Sequence, residues 1–240
     1  MKTAVCPLLV FIFGVLSSAN SVAKAEVTAD EVIDRVIEAS GGKAKLETLI
    51  SLEAFYDIEM PGAGMTFTSK VVLKHPDLVY MEQNIPAAGV VKQGYNGTIG
   101  WASDPIQGDR QLSEGEVKEL TRDTSPQAVL RWKEKYSIRS VEAETATEVT
   151  LKLQESVSVP AQTWVFSKKT WLPISLDTIA DMGPTGKLPM KMYFSDYRTV
   201  EGTMVPYLTR IENPAFQFNM KLRTFRYNVD VDPKLFEPPF

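Results

Sequence analysis

The sequence predicts a mainly β (α+β) protein: a meandering antiparallel sheet or open barrel accompanied by about three helices. Three observations carry this expectation. From Leu52 onward, apolar residues recur at every second position, the period of a strand with one buried face. Turn signals containing Gly, Pro and Asn break these runs at short, regular intervals, as a meander requires. Only three segments of the remaining chain show the wider apolar spacing of a helix.

Residues 1–25 read as a cleaved export signal, leaving 26–240 as a single domain of ordinary size. Lys2 supplies the positive start and Val5–Leu16 an apolar run of 12 residues. A membrane-spanning helix needs roughly 20 such residues, so the run suits a signal better than an uncleaved anchor. Ala23-Lys24-Ala25 is the small-x-small pattern preceding cleavage, and the mature chain is expected to begin at Glu26. Cys6, the single cysteine, lies inside this signal. The mature protein therefore has no disulfide, thiol nucleophile or thiolate metal site, and no cysteine to carry a lipid at the cut. The expected location is the periplasm, without a stable membrane anchor. With 24 basic against 30 acidic residues the mature chain carries a net charge of −6. No run of Lys or Arg appears, so nucleic acid is not an expected partner.

Thr28–Leu46 reads as a helix. Thr28 with Glu31 has capping-box spacing, Val32, Ile33, Val36 and Ile37 form one apolar stripe, and Gly41-Gly42 ends the regular part. In the next segment Leu52, Ala54, Tyr56, Ile58 and Met60 share one strand face, with acidic Glu53, Asp57 and Glu59 on the other. Strands follow at 65–73, 78–83, 90–95 and 98–102, the last two flanking Asn96-Gly97, a two-residue type I′ turn signal. Asn96-Gly97-Thr98 is also a formal glycosylation sequon. Two helices are expected at 114–122, capped by Ser113 with Glu116, and at 126–135, capped by Ser125 with Pro126 in the first turn. Strand patterns resume at 138–143, 147–154, 161–168, 172–180, 188–198, 203–212 and 215–227, with Gly183–Gly186 among the intervening turns.

Catalytic motifs are missing from this pattern. His75, the only histidine, precedes Pro76 at a strand edge, and one histidine without mature cysteine does not build a zinc site. No phosphate-binding glycine loop occurs, and no cofactor or metal is expected. The positive signal is apolar. Large or flexible side chains line one strand face at Met65 and Phe67, at Trp164 and Phe166, at Met190, Met192 and Phe194, and at Phe216, Phe218 and Met220. Methionine adapts to irregular ligands. Ordinary core packing is the competing explanation of such a stripe.

Several motifs then follow in a telling order. The first helix ends in Gly41-Gly42 before Lys43–Leu46, and Tyr95-Asn96-Gly97 precedes Gly100-Trp101. After the helical insert come Thr170-Trp171-Leu172-Pro173, then Ser195-Asp196-Tyr197-Arg198 with Glu201-Gly202 and Val205-Pro206, and finally Phe236-Glu237-Pro238-Pro239. Over residues 27–240 this order resembles the outer-membrane lipoprotein-sorting superfamily of LolA/LolB-like carriers, and is closer to its other branches than to the dedicated lipoprotein shuttle. The resemblance implies a single curved antiparallel sheet, a half-barrel of about 11 strands, with the helices lying over its concave side as a lid. It implies a carrier for a lipoprotein acyl moiety, a lipid or another hydrophobic ligand, loaded by an inner-membrane donor or unloaded to an outer-membrane acceptor protein. Trp101 and Trp132 join Met65, Phe67, Trp164, Phe166, Met190, Met192, Phe194, Phe216, Phe218 and Met220 as the expected apolar lining. Arg35, Arg122 and Arg131 are candidates for the arginine that holds the lid. The alternatives are an interaction or scaffold protein of an envelope export system, with the same sheet around a filled core, and a hydrolase, for which no catalytic set is present.

Overall fold

The structure is a computed structural model that describes residues 27–86, 88–181 and 186–240. The expected signal, and residues 183–185 of the expected turn, lie outside the described residues. The chain opens with α1 (Ala29–Ser40) and the single turn α2 (Lys43–Leu46). Six strands follow: β1 (Ser51–Met60), β2 (Met65–Lys74), β3 (Leu78–Ile85), β4 (Gly89–Tyr95), β5 (Gly100–Asp104) and β6 (Gly108–Gln111). A connector carries α3 (Glu114–Leu120) and α4 (Trp132–Lys135). Seven more strands complete the sheet: β7 (Ile138–Glu144), β8 (Glu148–Gln154), β9 (Gln162–Ser167), β10 (Pro173–Asp181), β11 (Lys187–Val200), β12 (Thr203–Glu212) and β13 (Gln217–Tyr227).

All thirteen strands form one antiparallel sheet in the order β6-β5-β4-β3-β2-β1-β13-β12-β11-β10-β9-β8-β7. Two meanders meet at the β1–β13 pair, while β6 and β7 are the free edges, so the sheet is not closed. This corrects the expected count of about 11 strands. Four residues of β6, Gly108–Gln111, carry no apolar alternation, so its pairing with β5 depends on the tight turn before it and leaves no trace in hydropathy.

The register carries one apolar row across seven strands. Val141 lies opposite Leu151, then Trp164, Leu176, Met192, Ile211 and Phe218 follow by direct cross-strand pairing. Directly opposed residues share a face and pack against each other. The same face continues through Met220, Ile58 and Phe67. On the opposite face the acidic residues of β1 meet bases on neighbouring strands: Glu53 with Lys70 and Arg226, Glu59 with Lys221 at 2.6 Å, and Asp57 with Arg223 at 3.4 Å.

Local expectations hold at the caps. Thr28 Oγ1 accepts from the Glu31 N–H at 3.2 Å while Glu31 accepts from the Thr28 N–H at 2.7 Å, and Ser113 and Glu116 repeat the arrangement. Gly41 ends α1 with φ 137, where a Cβ would sit 2.8 Å from the Gly202 carbonyl oxygen. Two readings change. The Asn96-Gly97 connection is a four-residue loop, 96–99, in which Asn96 Oδ1 accepts from the N–H groups of Thr98 and Ile99 at 3.0 and 2.8 Å. The side chain thus replaces the tight backbone turn. The expected helix at 126–135 is a 3₁₀ turn, Ala128–Arg131, running into the short α4. Few residues are available to propagate a helix, and docking of Trp132 fixes the path.

The tightest packing lies under α1. Val32, Ile33 and Val36 are almost fully buried against Val149, Leu151, Leu153 and Phe166, with Trp132 and Tyr136 closing one side. The Phe166 ring is surrounded by Trp132 at 6.3 Å and Trp164 at 6.0 Å between centroids. Phe166→Ala is expected to lower stability by about 3–5 kcal/mol, the usual cost of emptying a buried aromatic site, read as a fall in the urea unfolding midpoint.

Candidate functional site: a concave apolar face under a helical strap

Helix α3 bridges the sheet from β4 on one side to β10 on the other. Those strands are seven places apart in the sheet order, about 34 Å if the sheet were flat. A helix of seven residues is only about 10 Å long. The sheet therefore curls around α3, and the face carrying the apolar row is the concave one.

Each end of the strap has its own attachment. Val117 and Leu120 pack with Leu73, Val79, Ala102 and Leu112 on the β2–β5 side. Gly100 makes this approach feasible: a Cβ there would lie 2.4 Å from Val117 Cγ2. Arg110 grips Glu116 in a bidentate pair, 3.1 and 2.7 Å. These hydrogen bonds hold the Glu116 carboxyl down at about 2, against the opposing effect of burial and with help from Ser113. At the other end Arg122 donates to Thr178 Oγ1 on β10 at 3.2 Å and pairs with Glu119. Of the three candidate lid arginines, Arg122 is the one that ties a helix to the concave face. Arg35 stacks over Trp171 at 4.4 Å and Arg131 donates to the Pro76 carbonyl at 3.3 Å.

The expected lining residues separate into three groups. Trp132, Trp164 and Phe166 are buried beneath α1 and form solid core. There, Tyr136 Oη lies 2.7 Å from Asp123 Oδ2 and 2.9 Å from Gln162 Oε1, and the Trp164 indole donates to the same Gln162 oxygen. Burial and the Asp123 carboxylate push the Tyr136 ionisation far upward, so it stays a neutral structural donor. The second group lies towards the middle of the curl. Met65, Met190, Met192, Phe194, Phe216, Phe218 and Met220 are half-buried on or beside the concave face, and Phe67 is buried edge-to-face against Phe218 at 6.5 Å. Trp101 forms the third and corrects its expected place. It lies on the convex face with Tyr80 and Phe236, its indole donating to the Phe236 carbonyl at 2.8 Å. Strand alternation explains this: Ala102 faces the strap, so Trp101 faces away. Leu52, Tyr56 and Ile211 also face the concavity half-buried and were not among the expected lining residues. The alternation of Val205, Tyr207, Thr209 and Ile211 was the available signal.

Polar features elsewhere are structural. A cleft of about 450 Å³ beside α3 and α4 is lined by Lys118, Arg122, Asp123, Arg131, Lys135 and Glu155 among others. Ion pairs of Lys118 with Glu155 at 2.9 Å and Lys135 with Asp123 at 2.9 Å cross it, which suits no apolar ligand. His75 Nδ1 lies 3.3 Å from Ser125 Oγ, but that oxygen also accepts from the Gln127 N–H at 3.3 Å, two residues ahead of the position that caps the 3₁₀ turn, so the expected Ser125 cap is displaced to Gln127. Among the described residues no helix is long and apolar enough to cross a membrane.

A curled antiparallel sheet, open between its edges and strapped by a helix across its apolar concave face, is a half-barrel of the LolA type. Three solved structures share it. A DUF1329 family protein from Desulfovibrio piger superposes with a TM-score of 0.58 at 16% identity, covering 87% of this chain and 97% of that one. A LolA superfamily protein from Nitrosomonas europaea gives 0.58 at 14% identity over 88% and 98%. A domain described as an outer membrane lipoprotein-sorting protein, from Vibrio parahaemolyticus, gives 0.56 at 11% identity over 86% and 97%. Such likeness establishes the fold. Neither a family model nor a curated protein matches the sequence.

Two tests address the strap. Gly100→Ala should force α3 off the sheet, so amide exchange across Glu114–Leu120 accelerates while α1 keeps its protection. The Glu116 carboxyl is depressed from 4.5 to about 2 on folding. Its contribution is complete above pH 4.5 and vanishes as pH falls towards 2. Glu116→Gln should therefore cost about 1.5–3 kcal/mol at pH 7 and nearly nothing at pH 2 in urea unfolding.

Proposed function

We propose that the protein is a non-catalytic periplasmic carrier that shelters a lipoprotein acyl chain, a lipid or a similar hydrophobic ligand on the concave face. The observation that supports this most directly is the half-buried state of its central apolar side chains. Met65, Met190, Met192, Phe194, Phe218 and Met220 lie on the concave face yet keep part of their surface exposed. In a finished core they would be covered, as their neighbours under α1 are. A chain of about 16 carbons gains roughly 12 kcal/mol gross on leaving water, at about 0.8 kcal/mol per methylene. Transit through water thus needs a shelter, and release needs a shelter that opens. The α3 strap, a short helix held by the packing of Val117 and Leu120 at one end and by polar bonds of Arg122 at the other, is the element suited to that movement. On this reading Met65, Phe67, Phe216 and the residues just named contact the ligand, and Trp132, Trp164 and Phe166 provide the fixed wall behind it. A donor at the inner membrane or an acceptor at the outer membrane would engage the open edge.

A second reading has its own observation. The β7–β10 side is filled solidly by α1 and Trp132, which favours an interaction protein of an envelope export system with no ligand. Native mass spectrometry of the full chain, purified without detergent from cells that export it, separates the two. The carrier reading expects co-purifying lipid, lost in Phe218→Asp and Phe194→Asp while both variants stay folded. Ligand-free wild-type protein that takes up no added lipid would favour the filled-core alternative.

A further inference from the structure

The concave face is not uniformly apolar. Ser69 and Tyr56 are directly opposed on β2 and β1 in the middle of its floor. Ser69 is 2% exposed and its Oγ is buried without a hydrogen-bond partner. The Tyr56 ring, half-buried on the same face, packs with Ala54, Leu222 and Phe225. Burial, with a smaller effect of the Tyr227 hydroxyl, pushes the ionisation of Tyr56 up to about 12, so it remains a neutral donor at any physiological pH.

An orphan hydroxyl in a buried apolar setting, as at Ser69, destabilises a protein unless something satisfies it. Their surroundings indicate what fits. The positions flanking them on this face are Ala54, Ile58, Phe67, Val71, Gln83 and Leu222, none of them charged. Lys70 of β2 and Lys221, Arg223 and Arg226 of β13 are bound to Glu53, Glu59 and Asp57 on the other face. A carboxylate or phosphate placed here would be an uncompensated buried charge, whereas a neutral acceptor would not.

Resting on the carrier reading above, we propose that Ser69 and Tyr56 form a polar notch that donates hydrogen bonds to a neutral carbonyl, so that the site selects ester- or amide-linked acyl chains over bare hydrocarbon and over free acids. The notch fixes where the linkage sits, and the Met and Phe residues around it take the chain on either side. Selectivity arises because a hydrocarbon leaves the Ser69 hydroxyl unpaired and covers that of Tyr56 without replacing its water, while an acyl carbonyl accepts from at least one of them.

The test uses a matched pair of fluorescent probes, methyl pyrenedecanoate and decylpyrene, titrated into the full mature chain. Wild type should bind the ester about tenfold tighter, equivalent to one or two buried hydrogen bonds. In the Tyr56→Phe/Ser69→Ala double variant that margin should disappear through loss of ester affinity, with decylpyrene binding unchanged. Ligand-free Ser69→Ala should also melt at a higher temperature than wild type, since its buried unsatisfied hydroxyl is gone. An ester margin that survives in the double variant, or a lower melting temperature for ligand-free Ser69→Ala, overturns the notch and leaves the carrier reading standing. Failure of wild type to bind either probe overturns the carrier reading and the notch with it.

Discussion

The pairing of β1 with β13 is the constraint on which the rest of the molecule depends. It runs from Leu52 opposite Tyr227 to Glu59 opposite Asn219 and joins two meanders that are otherwise each complete in their own local hairpins. Without it there would be two sheets of ordinary width, each with an apolar face to cover. With it there is one broad sheet whose twist must resolve into a curl. These partners are separated by most of the chain, which makes this the least local pairing in the sheet.

The curl creates the problem that the helices solve. An inward-facing apolar surface spread over most strands of one sheet needs helices to cover it. Helix α1 settles one side by inserting Val32, Ile33 and Val36 among the aromatic residues of β9. Helix α3 covers the other side at the β4 end and reaches across to β10. The result is two adjacent environments on one face. One is packed like any protein interior. In the other, flexible and aromatic residues remain partly open, with two hydroxyls set into the floor.

Several motifs that mark the resemblance have structural reasons. Gly100 lets the strap approach one face of β5, and Trp101, the next residue, holds the C-terminal segment on the other. Asp196 adopts a left-handed conformation at an irregularity in β11, after which Tyr197 donates to the Pro173 carbonyl at 2.9 Å. Glu201 and Gly202 take the two left-handed positions of the β11–β12 turn. These residues shape the half-barrel. The ligand question is carried by different ones, the methionines and phenylalanines of the central strands, whose order is less distinctive because many apolar residues can fill such positions.

By itself the sequence determined what depends on near neighbours. The caps at Thr28 and Ser113, the end of α1 at Gly41 and the alternation of β1, β2 and β8 follow from interactions a few residues long, and each appears as expected. Tertiary structure alone decided which alternating face turns inward, because that depends on the β1–β13 register and on the site where α3 lands. Hence Trp101, similar in character to Trp164, lies on the outside, and β6, lacking an apolar pattern, pairs at the edge. Hydropathy records that a residue avoids water. Which partner shields it, and whether that partner is the protein or a guest, is decided by the curvature of a sheet that no local stretch of the chain encodes.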